Sequence, residues 1–216
     1  ISYESVRGPI RVIAANSFTL TRTFNGLLPR WGAVTDAKVR SQVESLLSGD
    51  VAKADQLFMR QGHGTYWIGK GLGAVSTLAG IAEAHGKLAQ RDELLANIKG
   101  RLEPWLDGRH SQHFMYDPTY GTLFGFPQEY GSVTQINDHH FHYGYWLQAA
   151  AAIGLRDPAW LGEDRFGGMV RELVRDIATT ERGRADYPFL RNFDPYEGHS
   201  WASGIQPFEY GNNQES

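Results

Sequence analysis

Hydrophobic positions recur with two different periods along this chain. Over residues 1–30 they come in short, partly alternating runs rich in β-branched residues. These are Ile10-Arg11-Val12-Ile13 and Ser17-Phe18-Thr19-Leu20-Thr21-Arg22-Thr23, with Gly8-Pro9 and Asn25-Gly26 as turn signals. Two strands of this length cannot stand alone, so they are expected to pack on the helices or to belong to a sheet lying mostly upstream. From Thr35 the period changes to 3.6. Thr35 or Asp36 can cap a helix carrying Val39, Val43, Leu46 and Leu47, with Ser48-Gly49 as its stop. Asp50 reads as the cap of a second, shorter helix with Val51, Ala54 and Phe58. A third begins after Gly62-His63-Gly64, runs from Thr65 through Leu72, Val75, Leu78, Ala79 and Ala82, and ends near Gly86. A fourth, about 87–106, shows Leu94, Leu95, Ile98, Leu102 and Trp105, and Pro104 blurs its end.

Residues 107–133 break the pattern with an aromatic-rich hairpin or long loop turned at Asp117-Pro118, and loops of this length are usually functional. Then comes the densest stretch of chemistry, Asn137-Asp138-His139-His140-Phe141-His142-Tyr143-Gly144-Tyr145-Trp146, followed by an alanine-rich run to Gly154. Asn and Asp are favoured helix caps and the run has high helix propensity, so Asp138 is expected at the mouth of a buried helix. His139, His142 and Trp146 then share a face. A further amphipathic helix carries Phe166, Val170, Leu173, Val174 and Ile177. Residues 182–212 are irregular, and a last helix is expected near Asn213. About six helical segments joined by alternately short and long loops suggest a mainly α chain built as an α/α toroid rather than a simple bundle.

The formal net charge is −3 with no Lys/Arg block, which makes nucleic acid and anionic membranes poor partners. No run approaches the roughly 18 apolar residues of a membrane span. With no cysteine there is no disulfide framework, and the His pair at i, i+3 lacks the partners a zinc site uses, so no metal and no cofactor is expected. The 137–146 stretch alone fits either a capped helix with satisfied histidines or a polar-ligand site in which aromatic faces stack and Asp138 does acid–base work.

A second constellation adds to the polar-ligand reading. Asn192-Phe193-Asp194-Pro195-Tyr196-Glu197-Gly198-His199-Ser200-Trp201-Ala202-Ser203-Gly204 is followed by Gly211-Asn212-Asn213-Gln214-Glu215-Ser216. It repeats the same chemistry: loop aromatics, an imidazole, then a carboxylate at a helix start. Two carboxylates at two helix entrances fit a glycosidase, which needs an acid for the leaving oxygen and a base or nucleophile. His199-Ser200 lacks a nucleophile elbow, which argues against a serine hydrolase.

Together these motifs resemble glycoside hydrolase family 81, the endo-β-1,3-glucanases. Tyr66-Trp67-Ile68-Gly69-Lys70, Phe114-Met115-Tyr116-Asp117 and Leu27-Leu28-Pro29 match family landmarks in the same order. The resemblance implies inverting, endo-acting hydrolysis of β-1,3-glucan by a secreted enzyme, on a fold that pairs a β-sandwich with an (α/α)6 domain. Residues 1–30 would then be the end of the β region or a linker, and 31–216 the N-terminal portion of the (α/α)6 catalytic domain. The remaining helices are expected in the parent protein. Asp138 falls on the family's general acid and Glu215 on a general base. His142 and Tyr145 fall near the acid, and Tyr66, Lys70, Tyr116, Asp117, His199, Trp201 and Asn213 are the other candidate substrate-binding residues. In the family the last motif continues to a second glutamate beyond Gln-Glu-Ser, which this sequence does not reach. The alternative reading is a non-catalytic β-glucan-binding protein on the same fold.

Overall fold

A computed structural model describes residues 1–5, 8–19, 31–59, 62–195 and 197–205. Among them are five α-helices: α1 (Ala37–Val51), α2 (Thr65–Ala84), α3 (Leu88–Leu106), α4 (His139–Gly154) and α5 (Gly167–Ala178). Three two-stranded antiparallel ribbons accompany them: β1 (Ser2–Ser5) with β2 (Gly8–Arg11), β3 (His113–Asp117) with β4 (Thr122–Phe126), and β5 (Phe193–Asp194) with β6 (His199–Ser200).

The centre of the body is α2, which packs against α3 and α4 and also touches α1. Ile68, Leu72, Val75, Ala79 and Ala82 are all buried along it, on the periodicity the sequence carries. Glycines let α4 come close. A Cβ on Gly69 would sit 3.1 Å from Trp146 Nε1, and one on Gly73 only 2.9 Å from Tyr145 Cδ1. Trp105, Phe114, Tyr143 and Trp146 join α3, β3 and α4 in one aromatic core. The Trp105 and Trp146 rings are 4.7 Å apart, and the Phe114 ring stands at 88° to Trp146.

One helix end departs from the sequence expectation, and another that Pro104 had blurred falls where the pattern put it, for the same reason. Asp36 does cap α1, accepting from Val39 N at 2.9 Å, but the helix runs through Ser48-Gly49 to Val51. Asp50 therefore caps nothing, and the following segment is a 3₁₀ turn over Ala54–Phe58. A glycine inside a helix costs about 1 kcal/mol. Burying Val51 returns about 1.5–3 kcal/mol, so the longer helix wins. Likewise α3 carries Pro104 to its end at Leu106. The proline costs about 3 kcal/mol, whereas burying the roughly 200 Å² of Trp105 is worth about 5 kcal/mol.

The N-terminal β reading is shifted rather than lost. The second strand is Gly8–Arg11 rather than Ile10–Ile13, paired in register Tyr3↔Ile10, and Ser17–Thr19 form no strand. Asn25-Gly26 and Leu27-Leu28-Pro29 lie outside the described residues, as does the helix expected near Asn213. Tyr3, Val12, Ile13 and Phe18 are exposed. By contrast the β3–β4 hairpin is built into the body. Asp117 Oδ1 accepts from Thr119 N and Tyr120 N at 2.8 and 3.2 Å, closing the expected turn. Gly125 then allows β4 to reach α2, since a Cβ there would lie 2.3 Å from Thr65 Cγ2.

Candidate active site

Asp138 is the residue before α4, yet its carboxylate does not cap the helix. Its backbone is left-handed, φ 59°, and so is that of Ile136, φ 56°. Such conformations cost non-glycine residues energy and need surrounding structure to hold them. That structure comes from the second constellation. Asp138 N donates to Ala202 O (2.9 Å), Gly204 N to Asn137 Oδ1 (3.0 Å), and Ile205 N to Gln135 O (2.9 Å). Only glycine fits at 204, because a Cβ would lie 2.0 Å from Gln135 O and 2.3 Å from Ile136 O. Gly204→Ala is expected to cost about 1–3 kcal/mol by overpacking this seam. An unchanged melting temperature would show that the loop can move aside freely.

Turned away from the cap, the Asp138 side chain enters a pocket of about 210 Å³ shared with Tyr66, Tyr130, Phe141 and His142. Burial pushes its carboxyl up to about 6, against the opposing pull of the His139 charge. Phe141, Tyr143 and Trp146 follow Asp138 along α4. Phe141 does line the pocket, but Tyr143 and Trp146 point into the core, donating to Leu123 O (2.5 Å) and Thr65 O (2.9 Å). The cover is completed by Tyr66 and Tyr130, whose rings meet edge-on at 4.9 Å.

His142 is buried, shares a 2.9 Å hydrogen bond with Thr65 Oγ1, and is pushed down to about 3 by burial, so it is a neutral imidazole. Tyr145 lies on the Gly69/Gly73 surface beside Phe141, rings 5.5 Å apart, and burial raises its phenol above the usual range. Lys70 stands over Tyr66 and Trp67, 5.4 and 5.3 Å from the ring centres. Glu129 fixes this end of α2: its Oε2 accepts from Tyr66 N and Trp67 N, both at 2.9 Å. The glycines Gly62 and Gly64 leave the space it occupies.

Beneath α4 lies a charged cluster. His139 Nδ1 meets Asp176 Oδ2 at 2.6 Å and Nε2 meets Ser132 O at 2.7 Å. Asp176 Oδ1 accepts from Thr122 Oγ1 (3.0 Å), Leu123 N (2.7 Å) and Arg191 Nη2 (2.7 Å). Burial opposes ionisation of Asp176, but His139, Arg191 and the Leu123 amide together hold its carboxyl below the usual range.

The candidate residues thus separate into groups. Asp138, His142 and Tyr66 line one pocket, with Tyr145 and Lys70 at its edge. His199 and Trp201 pack on each other, rings 4.5 Å apart, and the chain there is tied to Asp138 through Ala202. Tyr116 and Asp117 are not brought to the pocket. The Tyr116 hydroxyl donates to Asp186 O at 2.6 Å, and the Asp117 carboxylate is used by its own turn. Glu215 and Asn213 lie outside the described residues. Sequence reasoning passed over Tyr130, Glu129, Arg191 and Asp176. For Asp176 there was a signal: it shares a face with Leu173 and Ile177, an acid in an apolar stripe. Among the described residues no group of three or more His, Asp or Glu is arranged to hold a metal ion, and no helix is long and apolar enough to cross a membrane.

The chain is similar to several known proteins. It is 43% identical over 222 aligned positions to a glucan endo-1,3-beta-D-glucosidase of Acetivibrio thermocellus, and 42% identical over 219 to one of Thermobifida fusca. Both matches cover 100% of this chain and 28% of the relative, so the chain spans under a third of their length. A primary septum glucan endo-1,3-beta-D-glucosidase of Schizosaccharomyces pombe is 26% identical over 98% of the chain. A solved structure of a glycoside hydrolase family 81 protein from Clostridium thermocellum aligns with 100% of the chain and 30% of its own, at TM-score 0.82 and 42% identity. The mainly α architecture is accordingly part of an α/α toroid. The family profile described as Glycosyl hydrolase family 81 C-terminal domain matches residues 34–216, and the chain belongs to that family.

Proposed function

We propose that the protein carrying this chain hydrolyses internal β-1,3-glucosidic bonds of glucan, with inversion, and that Asp138 is the general acid. The observation that carries the reading is the Asp138 carboxyl pushed up to about 6 inside an aromatic pocket. A helix N-terminus favours an ionised carboxylate by about 0.3–1 kcal/mol. A two-unit upward shift corresponds to at most about 3 kcal/mol the other way, about 1–2 kcal/mol once partial exposure is allowed for, so burial dominates and the group holds a proton to give. The relatives' shared activity on 1,3-β-glucan supports the substrate class.

In this reading the proton of Asp138 passes to the glycosidic oxygen as the bond to the anomeric carbon breaks. Glu215 takes a proton from the water that attacks the opposite face, with about 6.5–9.5 Å between the two carboxyl groups to admit that water. Tyr66, Tyr130, Phe141 and Tyr145 offer faces for sugar rings, with Lys70 at the rim. Trp201, His199 and Asn213 are assigned to glucan binding. Tyr116 and Asp117 have at most an indirect part, given their commitments elsewhere. Residues 1–30 are read as the end of a β region or linker, and 31–216 as the N-terminal portion of the (α/α)6 catalytic domain. The rest of the toroid is expected in the parent protein, and laminarin-type or cell-wall glucan as substrate supports reading the enzyme as secreted.

The test is reducing-sugar release from laminarin, with cellulose as control, followed by NMR of the first product. Cleavage of laminarin alone with the α-anomer appearing first is expected. A β-anomer first would overturn inversion. Binding of laminarin without cleavage would make the protein a glucan-binding one.

A further inference from the structure

We propose that the buried His139–Asp176 pair is a positioning device for Asp138, locking a cationic ring at the first residue of α4 and so setting the geometry and the field in which the Asp138 carboxyl works. The inference rests on the reading of Asp138 as the acid.

The charge on His139 follows from its partners. A carbonyl oxygen only accepts, so Nε2 must donate to Ser132 O. The other nitrogen faces Asp176, whose second oxygen already accepts three donors, as an ionised carboxylate does. Both ring nitrogens therefore donate, and the ring is an imidazolium. The His139 and Asp176 side chains are both 0% exposed, so water does not share this bond. Held at both ends, the ring fixes the first turn of α4. Its neighbour Asp138 is fixed by the left-handed backbone and the Ala202 bond.

The cluster also has a residual sign. His139 and Arg191 are two cations facing one anion, Asp176. The other titratable groups here do not offset them. On α4, burial keeps His140 and His142 neutral, pushed down to about 4 and 3, and Tyr143 is a buried neutral phenol. Facing the Asp138 pocket from the other elements are Tyr66 of α2 and Tyr130 of the loop, with Lys70 over the Tyr66 ring and Glu129 bonded to the α2 N-terminus. His199 lies on the strand that leads to Ala202, and Tyr187 donates to Glu172, one turn before Asp176 on α5. Burial favours the protonated Asp138 and the His139 charge favours the ionised one, so the pair tempers how tightly the acid keeps its proton.

Asp176→Asn tests this with little change of shape. The new amide oxygen can accept from Thr122, Leu123 and Arg191. Its NH2 then faces His139 Nδ1, which turns acceptor, while Nε2 still donates to Ser132. His139 becomes neutral with every bond kept; the cluster keeps one net positive charge, on Arg191, so what Asp138 loses is the cation next to it in sequence. The carboxyl 13C resonance of Asp138 is then expected to titrate about half a pH unit or more higher. The alkaline limb of kcat/KM on laminarin should move with it, with KM little changed. His139→Gln should move both in the same direction. Unmoved Asp138 titrations in folded variants would overturn the proposal. So would a wild-type 15N spectrum at pH 7 showing one unprotonated His139 nitrogen, a measurement that needs no variant to fold. If Asp138→Asn keeps its turnover, the acid assignment fails, while the 13C titration still decides the role of the pair.

Discussion

Asp138→Asn is expected to lower kcat on laminarin by about 10²–10⁴-fold, the usual contribution of a positioned general acid, while leaving glucan binding in place. The same substitution should make the protein more stable at pH 8. The Asp138 carboxyl is at about 6 in the fold and about 3.9 in an unfolded chain. The native state therefore holds its proton more tightly. The stability this contributes is fully present below pH 4 and is lost as pH rises through 6. Above that, the fold carries a half-buried carboxylate. A two-unit shift is at most about 3 kcal/mol, and partial exposure reduces it to about 1–2 kcal/mol. The asparagine variant escapes that cost. Its melting temperature should exceed the wild type's at pH 8 and match it at pH 4. Full activity would sink the acid assignment, and a loss of stability at pH 8 would sink the claim that burial strains the carboxylate.

Asp176→Ala should be the most damaging single change in the body, costing about 3–5 kcal/mol. It strands the buried His139 and Arg191 charges and leaves Leu123 N and Thr122 without their acceptor. That is a large share of the roughly 5–15 kcal/mol that holds a domain together. Here the pH dependence has the opposite sign. Asp176 is held below the usual carboxylate range, so its contribution is present above about pH 4 and disappears as pH falls through its lower folded value. Urea unfolding at pH 7 and pH 3 measures this. The gap between variant and wild type should be wide at the first and smaller at the second, and a gap under 1 kcal/mol at pH 7 would mean the cluster is not holding the fold.

The helices were legible because their apolar residues keep a 3.6 period over long stretches, and α2, α3 and α4 begin within a residue or two of where the pattern puts them. Ends were less so. Gly49 and Pro104 are real local costs, but Val51 and Trp105 sit just beyond them, and burial energy is not local in sequence. In the pocket, Asp138, Tyr66 and His142 were visible as clustered chemistry. Tyr130 and Glu129 were not, because their role depends on where a long loop returns, and nothing in residues 127–133 encodes that by period. Asp138 was expected to cap its helix. What removes it from the cap is a backbone angle held by Ala202, sixty-four residues later.

That seam between residues 135–138 and 202–205 has a consequence for engineering and for evolution. Loops that face a polymer are normally free to vary, and enzymes diversify by exchanging them while the chemical step stays fixed. On the proposed roles, the segment bearing Trp201 is also the frame that holds the acid in its left-handed turn, so affinity and turnover would not be separable modules. Transplanting residues 199–205 from a relative would carry a change in proton delivery along with any change in glucan preference, unless 135–138 travel with them.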